Sequence, residues 1–236
     1  MNIIIKKSTF QIGYDKDNKN TYKIFFNSYN ESIIKSITKT KIILGATTTE
    51  KYNTLTFKAT SVQTFKQFQE ELERETGEKK MNYESVLKMT YNLATQLNYL
   101  IINNSKTFLG YSPENLIILD KNKYIYLSNE YLLDINDEQV IITFPFSQNE
   151  FLISPELLNI KEIPSYINYK VTYFSFGYLI LYGLSGDDNL INDNEKTIEE
   201  KIKLQMETTS IKNTKLYWLL KRCLVEESKN RSILFI

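Results

Sequence analysis

The sequence predicts an α+β fold in two parts, with strands filling residues 1–59 and helices dominating residues 60–236. Three observations carry this expectation. Short β-branched and aromatic runs alternate with polar turns throughout the first part. From Thr64 onward the apolar residues recur at three and four instead, the period of a helix face. Within the helical part, L-I-I-L and Y-I-Y-L flank Asp120–Lys123, and Asp and Asn favour tight turns because they bond their own backbone.

Taken in order, Asn2–Ile12 and Thr21–Phe26 read as strands across a polar turn at 13–20. Asn30–Thr38 reads as a short helix. Lys41–Ala46 and Tyr52–Ala59 read as two further strands. Phe65, Phe68 and Leu72 mark a helix that stops near Gly77. Asn82 is placed to cap the next helix, whose core stripe is Val86, Met89, Leu93, Leu97 and Leu100. Ser112-Pro113-Glu114 has the residue types of a helix start, but the strand-like L-I-I-L that follows favours a loop. Ser154-Pro155-Glu156 reads as a helix start. Val171–Leu184 is apolar almost all round, which predicts a buried helix. Ser185–Lys196 is a polar loop without the acidic spacing of a calcium site. Tyr217–Val225 is the last helical pattern.

Composition narrows the function. A hydrophobic content of 42% supports a real core, and a net charge of +1 gives no general attraction to nucleic acid or anionic membrane. The absence of histidine removes imidazole acid–base chemistry, histidine triads and most catalytic zinc sites. The single Cys223 excludes an intramolecular disulfide framework and fits a cytoplasmic or other reducing intracellular compartment. No apolar run is long enough to span a membrane, and Met1–Lys7 lacks the order of a signal peptide.

The stretch Phe108–Asn129 resembles the catalytic loop and metal-binding segment of protein kinases, in which H-R-D-L-K-P-E-N precedes two short strands and D-F-G. Pro113, Glu114 and Asn115 stand where P-E-N belongs. The later F-L-I-S-P-E-L resembles A-P-E, and T-Y-F-S-F-G resembles D-x-W-S-x-G with Phe174 for the Trp and with Ser175 and Gly177 kept. The terminal L-L-K-R-C-L with Arg231 beyond it resembles the last kinase motif. The resemblance covers about residues 40–236, and the phrasing F-L-I-S-P-E-L-L-N-I-K-E-I-P is also similar to kinase-like proteins of large DNA viruses.

The resemblance implies a bilobal fold, with residues 1–59 as a reduced N-terminal lobe and 60–236 as the C-terminal lobe. It also implies that catalysis has been lost. Gly110 replaces the catalytic Asp, Ser112 the loop Lys, and Ser128 the magnesium-binding Asp, while Asn115 persists as a vestige. Lys23 and Glu31 are the nearest candidates for the usual Lys–Glu pair. Gly13 is the one glycine near the expected nucleotide lid, where Asp15 and Asp17 would repel phosphates. Thr172 replaces the Asp that braces the catalytic loop. Glu156 and Arg231 would form a buried structural ion pair. The implied function is a pseudokinase without cofactor or metal that binds or scaffolds a host or viral protein, a kinase being one candidate. The alternatives are an atypical nucleotide-binding kinase using displaced acids such as Glu130 or Asp134, and a structural subunit of a virion.

Overall fold

The computed structural model describes all residues except 16, 50, 52, 129, 148–150, 189, 191–196 and 234–236. It is a mixed α+β chain, 40% helical and 22% strand, and its strand-rich N-terminal region gives way to a helical C-terminal part. In the first region, β1 (Asn2–Lys6), β2 (Phe10–Tyr14), β3 (Thr21–Phe26), β4 (Thr47–Thr48) and β5 (Thr54–Lys58) form a five-stranded sheet in the order β1-β2-β3-β5-β4. Side chains alternate across it, so Ile12, Ile24 and Leu55 are fully buried on one face. Helix α1 (Glu31–Thr38) lies between β3 and β4 in sequence and buries Ile33, Ile34 and Ile37 completely.

Two expected strands are corrected here. Asn2–Ile12 is not one strand, because Lys7-Ser8-Thr9 breaks it into a hairpin that Lys7 N closes on the Phe10 carbonyl at 2.9 Å. Lys41–Ala46 is a series of turns, since Lys41 (φ 57°) and Gly45 (φ 69°) take left-handed backbone that no strand tolerates. Ile42 and Ile43 are still buried, so their apolar character serves the core without a ladder.

Beyond residue 59 lie β6 (Val62–Thr64), α2 (Phe65–Thr76) and α3 (Tyr83–Asn104). A capping box starts α2: Gln67 N donates to Thr64 Oγ1 at 3.2 Å, and Thr64 N donates to Gln67 Oε1 at 2.9 Å. It stops at Gly77, whose φ of 79° is the usual left-handed end. Asn82 caps α3 by accepting from Ser85 N at 2.8 Å, and the five residues of the expected stripe are all fully buried.

Next come β7 (Lys106–Phe108), a single 3₁₀ turn at Pro113–Asn115, β8 (Leu116–Leu119) and β9 (Lys123–Tyr126). Strands β6, β8 and β9 form one sheet. Strand β7 pairs with β10 (Leu132–Asp134), and β11 (Gln139–Ile142) pairs with β12 (Ser165–Asn168). Among the described residues the remaining α-helices are α4 (Pro155–Leu158), α5 (Val171–Ser185), α6 (Ile198–Thr208) and α7 (Lys215–Cys223).

Helix α5 is the axis of this half. Every residue from Val171 to Leu184 is buried, and α3, α6 and α7 all pack on it. Gly177 permits the closest approach, because a Cβ there would lie 2.7 Å from Cβ of Cys223 on α7. Among the described residues no helix is long and apolar enough to cross a membrane, and Cys223 is a buried free thiol. Replacing Gly177 by Ala should force α5 and α7 apart and lower stability by about 1–3 kcal/mol in urea unfolding.

Candidate functional site

The loop between β7 and β8 is bound on all sides by the protein itself. Leu109 N donates to the Tyr131 carbonyl at 2.8 Å, and Leu152 N donates to the Tyr111 carbonyl at 2.8 Å. Tyr111 N donates to Ser175 Oγ on α5 at 2.7 Å. At the centre is Tyr126 of β9, whose hydroxyl donates to the Gly110 carbonyl at 3.2 Å and accepts from Ser112 N at 3.0 Å. The Asn115 and Ser128 side chains also interact with this hydroxyl. Burial pushes the Tyr126 hydroxyl up to about 12, and these hydrogen bonds only partly oppose it, so it stays a neutral phenol.

Gly110, Ser112, Asn115 and Ser128 are therefore brought together, as their places in the sequence anticipate, but around a phenol. A Cβ on Gly110 would lie 2.9 Å from Cγ of Phe151 and closer still to the ring edge. Phe151 in turn packs on Tyr131 (ring centroids 5.4 Å apart) and Phe146 (5.6 Å). On the other side, Phe108, Tyr111 and Tyr126 pack edge-to-face or tilted, with centroids 4.7–5.4 Å apart. Tyr111 is wholly buried, and burial raises its hydroxyl well above the usual phenol range. The oxygens that hydrogen-bond to Tyr126 are neutral, and Glu130 is the one carboxylate that acts on this hydroxyl.

Other expected residues lie elsewhere or do different work. Lys23 and Glu31 do not pair, since Glu31 is held by Lys35 one helical turn along α1 and by the Tyr29 hydroxyl. Gly13 lies in β2, where a Cβ would be 2.6 Å from the Asn2 carbonyl oxygen. Asp15 and Asp17 belong to the β2–β3 turn, where Asp17 N donates to Asp15 Oδ1 at 3.2 Å. Asp134 is drawn to Lys106 across the β7–β10 pair, away from Asn115, whereas Glu130 is near enough to raise the Tyr126 hydroxyl further. No group of three acidic, Cys or His side chains placed to hold a metal exists among the described residues. Most of the Ser185–Lys196 loop lies outside the described residues.

Thr172, where the resemblance expects a lost brace, makes no hydrogen bond to the loop, and a neighbour on α5 does. The Thr172 hydroxyl is buried without a hydrogen-bond partner among the described residues, and Ser175, one turn further along the same face of α5, holds Tyr111 N instead. Nothing in the local residue pattern distinguishes a bracing Ser from a packed one. Tyr126 was equally hidden, because a Tyr in a buried strand reads as core.

Arg231 and Glu156 do meet. Nη1 of Arg231 donates to Glu156 Oε2 at 3.1 Å, and Nη2 lies 2.7 Å from Oε1, an ion pair joined by one hydrogen bond. Nε donates to the Val225 carbonyl at 2.7 Å and Nη2 to that of Glu226 at 2.6 Å. The guanidinium also lies 5.0 Å from the Phe174 ring centre. Burial pulls this guanidinium down from its ordinary value while Glu156 pushes it up.

Two contacts tie the β8–β9 turn and the 3₁₀ turn to the chain that precedes α2. Asp120 Oδ1, in the β8–β9 turn, accepts from Thr60 N at 2.6 Å, Thr60 Oγ1 at 2.7 Å and Ser61 N at 3.2 Å. Lys7, in the β1–β2 turn, pairs with Glu114 of the 3₁₀ turn. Burial raises the Asp120 carboxyl, but the Thr60 and Ser61 hydrogen bonds and Lys123 outweigh it and hold it below its usual value.

Changing Arg231 to Met should cost about 3–5 kcal/mol in chemical unfolding, with Glu156→Gln similar and the double change far from additive. Asp120→Ala should cost about 1.5–3 kcal/mol at pH 7. Because the folded carboxyl is held low, that difference is fully present above roughly pH 4, the ordinary aspartate value. It should shrink as pH falls through the folded value, which an acid series of unfolding curves for both proteins reads. In comparisons with known proteins, no family model matches this chain and none of the curated proteins matches it.

Proposed function

We propose that this chain is a protein kinase-like fold from which catalysis has been removed, working as a protein-binding module. Several features support the reading. A five-stranded sheet with one helix between its third and fourth strands is followed by two helices, a loop, a buried hairpin and a buried helix, the order that the kinase resemblance requires. Phosphoryl transfer depends on positioning and on neutralising charge over phosphate oxygens. Gly110, Ser112 and Ser128 supply no charge for either.

The observation that carries the proposal is the Tyr126 hydroxyl, seated on the Gly110 carbonyl and the Ser112 amide in place of a solvent-open catalytic site. What is retained, Arg231 with Glu156 and Gly177 against Cys223, holds helices together and touches no reacting group. Half-exposed Trp218 and exposed Tyr166 are residue types enriched where proteins meet.

A thermal-shift titration with ATP and ADP, with and without magnesium or manganese, tests this. A ligand bound only by the folded state adds about 2.7 kcal/mol at a hundredfold excess over its dissociation constant. The expected result is no change of midpoint at millimolar nucleotide. A metal-dependent rise would favour the atypical nucleotide-binding reading, with Glu130 as a candidate carboxylate. Restoring charge by Gly110→Asp, Ser112→Lys and Ser128→Asp together should yield no phosphotransfer in a radiolabel assay and a lowered midpoint, because the new carboxylate at 110 meets the Phe151 ring.

A further inference from the structure

Strand β9 is the edge of its sheet, in the order β6-β8-β9, and α3 packs along it. An edge strand leaves alternate backbone groups without a ladder partner. Here side-chain amides of α3 supply one. Asn92 Oδ1 accepts from Tyr124 N at 3.0 Å. Gln96 Oε1 accepts from Tyr126 N at 3.0 Å, and Gln96 Nε2 donates to the Tyr126 carbonyl at 2.9 Å. The two elements match in pitch, since four residues of helix rise about 6 Å and two residues of strand about 6.6 Å. Gln96 is fully buried, and an amide in that position is stable only while its polar atoms are paired.

Gln96 grips the main chain of the residue whose hydroxyl bridges the Gly110 carbonyl and the Ser112 amide. Leu127 N, next along the chain, donates to the Asn115 carbonyl at 3.1 Å. The apolar pattern does little to place Tyr126. Leu116–Leu119 are buried on both faces and lie opposite Tyr126, Ile125 and Tyr124, so burial alone does not choose which face a β9 side chain takes. The Asp120 turn holds the first end of β9, and Gln96 holds the last.

We propose that Gln96 is the positioning residue of the closed loop, a latch on α3 that keeps the Tyr126 hydroxyl seated and must release before residues 110–112 can open. The proposal rests on the reading of this loop as closed and assigns the residue that controls it.

The test is amide exchange in the whole chain carrying Gln96→Met, which keeps the side-chain length and removes both hydrogen bonds. Protection is compared at Ser112 and at Leu179 in the buried centre of α5, which reports the core. The expected result is a loss at Ser112 of about tenfold or more beyond any loss at Leu179. Adding Gln96→Met to Tyr126→Phe should cost Ser112 no further protection, because Gln96 acts through the hydroxyl that Phe lacks. In the natural chain, which needs no variant to fold, the Tyr126 and Ser112 amides should share one opening, with protection factors within about threefold of each other. Loss at Ser112 only in step with Leu179, further loss in the double variant, or unequal protection of Tyr126 and Ser112 would overturn the latch. The two readings fail separately. Free exchange of Ser112 in the natural chain would remove the closed loop itself, whereas a protected Ser112 indifferent to Gln96→Met removes the latch alone.

Discussion

A single phenol holds the centre of this molecule closed. The Tyr126 hydroxyl satisfies a carbonyl at Gly110 and an amide at Ser112 in one stroke, in surroundings from which water is excluded. Left unpaired, each of these buried groups would cost about 1–3 kcal/mol. The loop is thus fixed by the strand that follows it, and Ser175 fixes it again from α5. Phe151 and Tyr111 fill the space on either side of the backbone, so residues 108–112 behave as core. A catalytic loop needs the opposite: a backbone held firm with polar side chains projecting into solvent or ligand.

The same division runs through the rest of the chain. Two apolar clusters form the interior. One runs from the strand-rich region through α3 and α5, and a smaller one gathers Leu109, Ile142, Phe151, Ile153, Leu157 and Val171 beneath the β11–β12 pair. Phe151 and Leu109 belong to the smaller cluster while Tyr111, two residues on, belongs to the larger, so the loop is the seam between them. Arg231 performs the same service at the end of the chain. It clamps Glu156 of α4 while covering Phe174 of α5. Removing such a charge strands its partner, which costs several kcal/mol.

Much of this was legible in the residues. The helix cap at Asn82, the apolar stripe of α3, the hairpin around Asp120 and the buried α5 follow from short-range rules of capping, period and turn chemistry. The Arg231–Glu156 contact spans 75 residues and was reachable only through the kinase resemblance. What was not legible depends on long-range geometry. Lys41–Ala46 has the composition of a strand, yet left-handed backbone at Lys41 and Gly45 turns it into a coil over buried Ile42 and Ile43. The Lys23–Glu31 pair failed because Lys35 lies nearer to Glu31 on the same helix. Asp120 signalled a turn and gave no sign that it would anchor Thr60 and Ser61. Tyr126, the residue on which the loop turns, was indistinguishable from its strand neighbours.

The most direct measurement is amide hydrogen exchange at Tyr111 and Ser112 in the native protein. Both amides donate to buried side-chain oxygens, so they should open only with the core, at a free energy close to that of global unfolding. Exchange at the rate of an exposed loop, such as the β2–β3 turn, would mean that the loop breathes open to solvent, and the account of residues 108–112 as core would be contradicted.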